Sequence, residues 1–337
     1  MIDNLIMEDL EKIKSTVPRD FFCGKKVLVT GGAGFIGSWI CDALVDFGAN
    51  VVALDDFSTG RRSNVDHLVL KNNFRLVDSD VCAFDSEEQF DVVFHLAAHA
   101  SPDEYMANSI QTLLTSSVGT YRVAELARRN DAVLLFASTS EVYGDAEVVP
   151  TPESYWGKVN PIGPRSCYDE GKRFGEALLV AYSKQYGLSV RIPRIFNTYG
   201  PRLREDGLYG RALSRFVHQA LTRQPITVFG DGSQTRSFCY VTDTVSALML
   251  LAASEKAEGE VVNVGNIKEV TILELARKVL EFTASKSEVE FLPLPADDPR
   301  RRCPVTAKLE RLINWSPNVE FDEGLKRTIL WFSGKNH

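Results

Sequence analysis

This sequence of 337 residues lacks the usual signals for bound zinc, disulfide bonds and membrane insertion. Its six cysteines contain no CxxC pair and its five histidines form no HExxH pattern, so neither a zinc site nor a disulfide framework is indicated. No apolar run approaches the roughly 18 residues that span a bilayer. The first 14 residues are acidic and amphipathic, unlike a signal peptide. We therefore expect a cytoplasmic protein with no metal and no membrane partner.

The sequence also has no excess of positively charged residues. The chain has 38 Lys and Arg against 45 Asp and Glu, a formal charge of −7, and no zinc-finger, basic-zipper or aromatic RNA-binding pattern. This argues against a nucleic-acid partner. The apolar fraction of 44% and the charged fraction of 25% are typical of a soluble globular protein. Arginine is concentrated in the second half, where it could meet an anionic ligand.

Short apolar runs alternate with helical patterns through the first 200 residues. This alternation predicts an α/β fold with a doubly wound parallel sheet of the Rossmann type. The predicted strands are 27–30, 51–54, 74–77, 91–97, 133–137 and 189–192. The predicted helices lie near 35–47, 108–129 and 165–186, with a further helix over 211–223, a strand over 227–229 and a helical region after 271.

The length suits a dinucleotide-binding domain followed by a smaller one. We expect a helical extension over 1–24 and an NAD-binding domain over 25–200, to which 234–267 return. A smaller C-terminal α/β domain that binds the substrate is expected from 201–233 and 268–337.

A glycine-rich turn with the spacing GxxGxxG follows the first predicted strand and opens a helical pattern. Its glycines are Gly31, Gly34 and Gly37. Such a turn lets a pyrophosphate approach the backbone amides at a helix N-terminus. Asp55, which ends the next strand, lies where a ribose-binding carboxylate is expected. A carboxylate there repels a 2′-phosphate and favours NAD over NADP, although Arg61 and Arg62 are close enough in sequence to weaken that inference. A simple strand-to-helix turn and an ordinary surface Asp are the structural alternatives.

A candidate catalytic pair lies further along the chain. Tyr168 is the only one of ten tyrosines with a lysine four residues later, and helical spacing puts Tyr168 and Lys172 on one face. A phenol with a pKa of about 10 is a poor base at pH 7, but a nearby ammonium and a nicotinamide cation both favour its phenolate. The hydroxyls of Ser138, Thr139 and Ser140 follow a predicted strand and could bond the oxygen that is oxidised or reduced. An isolated Tyr/Lys pair would be an ordinary surface pair; together with the glycine turn and these hydroxyls it indicates redox chemistry.

Longer motifs carry a resemblance to a known family. They comprise HLAA at 95–98 with ASP at 100–102, STSEVYGD at 138–145, YWG at 155–157, VNPIGPRSCYDEGKR at 159–173, RIFNTYGPR at 194–202, GDGSQTR at 230–236 and DDP at 297–299. Over nearly its whole length the chain resembles the extended short-chain dehydrogenase/reductase superfamily. Within that superfamily it is similar to the UDP-glucuronate decarboxylases, also called UDP-xylose synthases.

The resemblance implies conversion of UDP-glucuronate to UDP-xylose and CO2 through a 4-keto intermediate, with NAD recycled in each turnover. It also implies a homodimer that pairs the helices near 108–129 and 165–186. Nucleotide-sugar 4-epimerases and 4,6-dehydratases are the nearest alternatives. Ser140 stands where the dehydratases carry an Asp, and Glu141 stands where the epimerases usually have a small residue. A non-catalytic NAD-binding sensor or scaffold is an alternative of another class.

The resemblance also implies three groups of site residues. The catalytic group is Thr139, Ser140, Glu141, Tyr168, Lys172 and Arg302. The cofactor-binding group is Gly31, Gly34, Phe35, Ile36, Gly37, Asp55, Asp80, Val81, Leu96, Ala97, Tyr168 and Lys172. The substrate-binding group is Ser101, Tyr105, Asn197, Arg211, Arg236 and Arg302.

The resemblance also gives several of these residues an expected role. Thr139 would bond the C4 oxygen of the sugar, and Glu141 would lie near C5 and the carboxylate. Arg302 would reach that carboxylate, which a guanidinium can bind at two points; a surface arginine in a run of three is its structural alternative. The diphosphate and sugar of UDP would be held by Asn197, Arg211 and Arg236. Ser101 and Tyr105 would approach the glucuronate, and Asp80 and Val81 would face adenine, with a plain core position as the alternative for Val81.

The sequence departs from the family pattern at four places. It has Thr115-Ser116-Ser117 where the family often reads Thr-Asn-Thr, which puts cofactor-side hydrogen bonds in question. The loop before Arg211 is longer by about two residues, and Cys303-Pro304-Val305 replaces a more usual Lys-Pro-Asp. His99 precedes the Ala-Ser-Pro segment and could alter the glucuronate pocket.

Overall fold

The computed structural model describes residues 2–204, 211–295 and 297–334. Most of the loop before Arg211, which the sequence predicts to be longer than usual, lies outside these ranges. Within them the helices are α1 Ile2–Thr16, α2 Arg19–Phe22, α3 Phe35–Phe47, α4 Pro102–Ala107, α5 Ser109–Leu114, α6 Thr120–Asn130, α7 Ser166–Tyr186, α8 Ala212–Leu221, α9 Val241–Ala253, α10 Ile272–Thr283, α11 Ala307–Ile313 and α12 Phe321–Ser333.

The same ranges also contain short strands. They are β1 Lys26–Thr30, β2 Asn50–Asp55, β3 Phe74–Asp78, β4 Val92–His95, β5 Val133–Phe136, β6 Ser138–Thr139, β7 Val190–Ile195, β8 Thr198–Tyr199, β9 Ile226–Phe229, β10 Thr235–Ser237, β11 Cys239–Tyr240, β12 Glu260–Val264, β13 Glu269–Thr271, β14 Val289–Leu292 and β15 Arg301–Arg302.

The main sheet has eight strands, and every pairing within it is parallel. Its order is β12-β7-β5-β4-β1-β2-β3, with β6 continuing beside β7. The chain winds outward from β1 in both directions, so the order reverses between β1 and β4. Ligands of such sheets bind outside the carboxyl ends of the strands at this point. The predicted doubly wound parallel sheet is confirmed.

The strand interiors are apolar because the sheet is covered on both faces. Val27, Leu28 and Val29 in β1 are completely buried, as expected for parallel strands flanked by helices. The helix α3 is followed by Gly48, whose φ of 83° terminates it with a left-handed residue. A strand and a well-terminated helix therefore hold the glycine-rich turn between them.

The helix predicted near 108–129 differs clearly from the helices in the structure. The structure begins helical geometry earlier, at Pro102, and interrupts it with a π-helical turn over Thr115–Gly119 between α5 and α6. Pro102 occupies the first helical position, where its missing N–H costs no hydrogen bond. The strand predicted over 91–97 stops at His95, and the strand predicted over 189–192 extends to Ile195.

The N-terminal helix α1 packs against the main fold. The side chains of Leu5, Leu10 and Ile13 are buried on its inner face, as its apolar spacing predicts. Asp9 is also fully buried, where it accepts a hydrogen bond from Tyr240 at 2.6 Å and pairs with Arg327 at 2.9 Å. The partners of Asp9 come from the second half of the chain, so α1 joins distant segments.

Short strands in the second half of the chain pair to form small sheets. The strand β10 pairs with β13 and with β15, and β9 pairs with β14. The strand β15 carries Arg302 and lies directly beside Arg236 of β10. Among the described helices, none has both the length and the apolar character that crossing a membrane requires.

Candidate active site

One cleft of about 400 Å³ opens at the carboxyl ends of the main strands. All predicted site residues line it except Asp80 and Ser101. Asp80 lies beside the cleft, where its carboxylate accepts hydrogen bonds from the Cys82 amide and the Gln111 side chain. Ser101 is 1% exposed and its hydroxyl has no hydrogen-bond partner. The fold therefore brings together residues that are up to 271 positions apart, from Gly31 to Arg302.

The glycine-rich turn forms one wall of this cleft. Gly31 has a φ of 69°, and its carbonyl accepts a hydrogen bond from the Gly34 amide at 3.0 Å. A Cβ at position 37 would overlap the backbone of Gly31, so only glycine allows α3 to approach the turn this closely. The turn thus leaves room for a pyrophosphate at the helix N-terminus, and its backbone fits a dinucleotide.

Asp55 stabilises the same wall. Its carboxylate accepts hydrogen bonds from the Ala33 amide and the Phe57 amide, both at 2.9 Å. Burial raises the pKa of Asp55, while these two amides lower it. Each oxygen keeps lone pairs for a ribose hydroxyl. Arg62 pairs with Asp78 at 2.6 Å, whereas Arg61 lines the cleft.

Tyr168 and Lys172 lie on one face of α7, as predicted. The Tyr168 ring stacks parallel on the Tyr105 ring with 5.2 Å between centroids, and the Lys172 Nζ lies 6.0 Å from the Tyr168 centroid. That ammonium donates a hydrogen bond to the Ala137 carbonyl at 2.8 Å. A side-chain hydrogen bond also joins Tyr168 to Thr139. The strand-end hydroxyl and the phenol are therefore adjacent.

In the polypeptide, burial opposes the lowering of the Tyr168 pKa that the sequence predicts beside an ammonium and a nicotinamide cation. Burial raises the pKa of Tyr168, and the Thr139 hydrogen bond and the Arg211 charge only partly oppose this. Burial also lowers the pKa of Lys172 to about 7, although Glu176 opposes that shift. Desolvation outweighs the local charges because phenol and ammonium both lie in the interior.

A cluster of opposite charges occupies the other end of the cleft. Arg302 donates to both carboxylate oxygens of Glu141, with Nη2 at 2.6 Å from Oε2, and Arg165 donates to the same Oε2 at 2.6 Å. Asp298 pairs with Arg236 at 3.2 Å and with Arg165 at 3.7 Å. Three guanidiniums therefore face two carboxylates, which leaves one positive charge for an anionic substrate group.

Arg302 is a cleft residue rather than one of three surface arginines. Its side chain is 6% exposed, against 49% for that of neighbouring Arg301, and its Nε has no hydrogen-bond partner. Burial lowers the pKa of Arg302 to about 10, which still leaves it charged at pH 7. Ser140 lies within 3.5 Å of its Nη1.

Two further residues that line the cleft have buried polar atoms without protein partners. The Tyr105 hydroxyl and the His99 Nδ1 are buried and unpaired, and both residues line the cleft. Asn197 reaches the Ser237 carbonyl at 3.4 Å, and Arg211 immediately precedes α8. Buried polar atoms such as the Tyr105 hydroxyl and the His99 Nδ1 normally have hydrogen-bond partners. We therefore expect a bound ligand to supply these partners.

The roles of Arg165 and Asp298 are not predicted from the sequence. Both were quoted within motifs, PRSCY and DDP, but their pairing with Glu141 and Arg236 depends on the folded structure. An Arg placed three residues before the candidate catalytic Tyr was the available signal for Arg165.

Comparison with known proteins identifies the family. Residues 27–265 match the NAD dependent epimerase/dehydratase family. The chain belongs to this family. Membership confirms the predicted NAD cofactor and the prediction of an NAD-dependent enzyme.

Curated members of the NAD dependent epimerase/dehydratase family include close relatives of this chain. UDP-glucuronic acid decarboxylase 1 of Danio rerio is 49% identical over 309 residues, which cover 92% of this chain and 73% of the relative. UDP-glucuronic acid decarboxylase 6 of Arabidopsis thaliana is 44% identical over 309 residues, which cover 90% and 88%. The resemblance drawn from the sequence motifs is confirmed.

Solved structures of this family share the fold. The UDP-glucuronic acid 4-epimerase of Bacillus cereus in complex with UDP-glucuronic acid and NAD has a TM-score of 0.83 at 30% identity, covering 92% of this chain and 99% of that chain. The UDP-glucose 4-epimerase of Thermotoga maritima with UDP-glucose has a TM-score of 0.84 at 30% identity, covering 93% and 100%.

Proposed function

We propose that this protein is a UDP-glucuronate decarboxylase that forms UDP-xylose and CO2. The observation that carries the proposal is the position of Glu141 and Arg302 beside Tyr168, Thr139 and Lys172 in one cleft. The identity of 44–49% to curated UDP-glucuronic acid decarboxylases supports the same substrate. The structural neighbours named as epimerases are less similar, at about 30% identity.

The cofactor would lie along the glycine-rich turn, with Asp55 on its adenosine ribose and Lys172 on its nicotinamide ribose. Val81, Leu96 and Ala97 line the same part of the cleft. When bound, NAD supplies a positive charge beside the phenol, accepts hydride from C4 of the sugar and returns it after CO2 has left. The residues of the chain then have to move a proton and hold a carboxylate.

Tyr168 would take the proton from the C4 hydroxyl, while the Thr139 hydroxyl bonds the same oxygen. The resulting C4 ketone lies β to the C6 carboxylate, so the electrons of the breaking C5–C6 bond can flow into it as CO2 leaves. Arg302 would orient the carboxylate by two-point binding. The enolate that remains after CO2 leaves takes up a proton at C5 that comes ultimately from water, and Glu141 would act at C5, in decarboxylation or in this protonation. Tyr168 returns its proton to the C4 oxygen at the end of the cycle.

The UDP part would be held by cations and amides at the far end of the cleft. Arg236 and Arg211 would bind the diphosphate, together with Asn197. Ser101 and Tyr105 would approach the glucuronate, and the unpaired Tyr105 hydroxyl supports this placement. Of these residues, Arg211 lies in the predicted substrate domain and the other four lie in segments predicted to form the cofactor domain.

We also propose a homodimer that forms through α5, α6 and α7. Large apolar side chains on these helices and on the π-helical turn are exposed, although buried positions are their usual place. They are Ile110 at 75%, Leu113 at 41%, Leu114 at 41%, Val118 at 39%, Tyr121 at 47% and Phe174 at 48%. We also propose the cytoplasmic location that the sequence predicts.

Mass spectrometry of the products distinguishes decarboxylation from epimerisation and dehydration. UDP-glucuronate, UDP-galacturonate and dTDP-glucose are supplied separately with NAD. The proposal expects UDP-glucuronate alone to give a product lighter by one CO2. A product of unchanged mass would indicate an epimerase, and dehydration of dTDP-glucose would indicate a 4,6-dehydratase.

A Tyr168→Phe variant separates an enzyme from a binding protein. Loss of the phenol removes the acid–base group, and we expect kcat to fall by roughly 10²–10⁴-fold. Tyr186→Phe, at the exposed end of the same helix, is the matched control. Unchanged turnover in Tyr168→Phe would contradict the acid–base role of Tyr168, whereas NAD binding with no turnover in the wild type would favour the sensor or scaffold alternative.

A further inference from the structure

Glu176 lies one helical turn after Lys172 on α7 and does not line the cleft. Its carboxylate is nevertheless buried, with the residue 8% exposed, and fully hydrogen bonded. The Ser138 hydroxyl donates to Oε1 at 2.5 Å, and Arg194 donates to Oε1 at 2.9 Å and to Oε2 at 2.6 Å. Hydrogen bonds and an ion pair of this kind offset the free-energy cost of burying a charged carboxylate.

The hydrogen bonds continue from Arg194 to other elements. Arg194 donates to the Tyr143 hydroxyl at 2.9 Å, which donates to the Asn263 side chain at 2.7 Å. Asn263 donates in turn to the carbonyls of Thr151 at 2.9 Å and Val305 at 3.2 Å. One network therefore crosses β6, α7, β7 and β12 and reaches the segment that follows β15.

This network touches the neighbours of three predicted catalytic groups. Ser138 immediately precedes Thr139, and Glu176 follows Lys172 by four residues. The Thr151 amide donates to the carbonyl of Cys303, the residue after Arg302, at 2.8 Å. Thr139, Lys172 and Arg302 come from separate parts of the chain, so a shared anchor fixes their mutual distances.

The Glu176 carboxylate also provides a negative charge that acts on Lys172. The groups that face Lys172 are Glu176 and Tyr168 from its own helix and His95 from β4. His95 is neutral, because burial lowers its pKa to about 3. Burial lowers the pKa of Lys172 to about 7, and Glu176 is the charged group that opposes this.

We propose that Glu176 is a positioning residue, which keeps the Lys172 ammonium charged and, through Ser138, holds Thr139 against the C4 oxygen. The proposal rests on the proposed function for its kinetic consequence, but not for the state of Lys172. Glu176 itself touches neither the cleft nor the reacting atoms. Its two effects can be separated, because one depends on charge and the other on a hydrogen bond.

The effect of the Glu176 charge on Lys172 is tested with Glu176→Gln, which preserves the shape of the side chain and removes its charge. Without the carboxylate, Lys172 should lose its proton at a pH lower by about one unit or more. NMR of protein labelled at the lysine Cε reads that titration directly and needs no substrate. The ratio of wild-type kcat to variant kcat should rise roughly tenfold between pH 6 and pH 9, since one pH unit is a factor of ten.

The hydrogen bond is tested with Ser138→Ala. This variant leaves the charge in place, so kcat should fall by the same factor at every pH and Lys172 should titrate as in the wild type. Glu125→Gln is the control: Glu125 accepts a hydrogen bond from Tyr182 of α7 at 2.6 Å but lies outside the cleft. It should change neither the titration nor the pH profile.

A Glu176→Gln variant with an unmoved Lys172 titration and a pH-independent kcat ratio would overturn the proposal. If Glu176→Gln does not fold, Glu176→Asp decides: the charge remains, so Lys172 should titrate as in the wild type while kcat falls equally at every pH. A displaced titration in Glu176→Asp would overturn it as well. A wild-type protein that releases no CO2 but shows the Lys172 shift in Glu176→Gln would refute the proposed reaction and leave the electrostatic role of Glu176 standing.

Discussion

The Arg302 guanidinium and the Glu141 carboxylate form a two-point ion pair, although 161 residues separate them in sequence. The pair joins the strand-end segment after β6 to the short strand β15. Arg165 donates to the same carboxylate, so neither arginine is fully neutralised by it. A substrate carboxylate that entered here would meet both guanidiniums, and Glu141 would have to share them.

Replacing Arg302 with Lys should therefore weaken recognition of the glucuronate carboxylate. A single ammonium cannot form the two parallel hydrogen bonds of a guanidinium. Loss of one charge-assisted hydrogen bond costs about 1.5–3 kcal/mol, so we expect affinity for UDP-glucuronate to fall by roughly 10–100-fold. Titration calorimetry should show little change for UDP-glucose, which has no carboxylate. Arg301→Lys, at a side chain that is 49% exposed, is the control; equal losses for both sugars would contradict the assignment.

Asp55→Asn should weaken NAD binding. The amide keeps one oxygen acceptor but replaces the other with a donor, which opposes one of the two backbone amides that Asp55 now accepts from. The glycine-rich turn and the ribose contact are both affected, and we expect the dissociation constant for NAD to rise about tenfold or more. The control is Asp78→Asn at the end of β3, where the carboxylate is 60% exposed and pairs with Arg62. Equal affinities for Asp55→Asn and the wild type would argue that Asp55 only shapes the turn.

Local spacing was enough to predict the glycine-rich turn and the Tyr168/Lys172 face, because their geometry follows from neighbouring residues. The pairing of Glu141 with Arg302 and Arg165 could not be read from spacing, since it depends on how β15 docks beside β10. The π-helical turn over Thr115–Gly119 was missed for a similar reason. Gly119 packs against Val81, and Gly171 of α7 leaves room for Ser116, so tertiary contacts shape that helix.

The Asp169 carboxyl should make stability depend on pH. Burial raises its pKa from 3.8 to about 7, and Oδ1 has no hydrogen-bond partner. Between about pH 4 and pH 7 the folded protein therefore binds more protons than the unfolded chain, so the free energy of unfolding falls as pH rises through this window and is level above it. Asp169→Asn lacks this group. We expect the variant to match the wild type near pH 4 and to exceed its stability by up to about 4 kcal/mol above pH 7.

Urea unfolding at pH 5 and pH 8 and at equal protein concentration measures this difference. Other titrating groups cancel when variant and wild type are compared at each pH. Glu170→Gln changes the neighbouring carboxylate, which is 37% exposed and pairs with Arg173, and should show no such trend. A stability difference for Asp169→Asn that is the same at both pH values would contradict the assigned burial cost.

Ile110→Arg should dissociate the proposed homodimer. Ile110 is 75% exposed on α5, next to exposed Leu113 and Leu114, and burying an unpaired charge in an interface is strongly unfavourable. Light scattering after size-exclusion chromatography should show a dimer for the wild type and a monomer for the variant. Leu70→Arg provides the control, because Leu70 is 92% exposed but lies away from these helices in the loop before β3. A dimer that survives Ile110→Arg would place the interface elsewhere, and a wild-type monomer would leave this apolar face without the proposed partner.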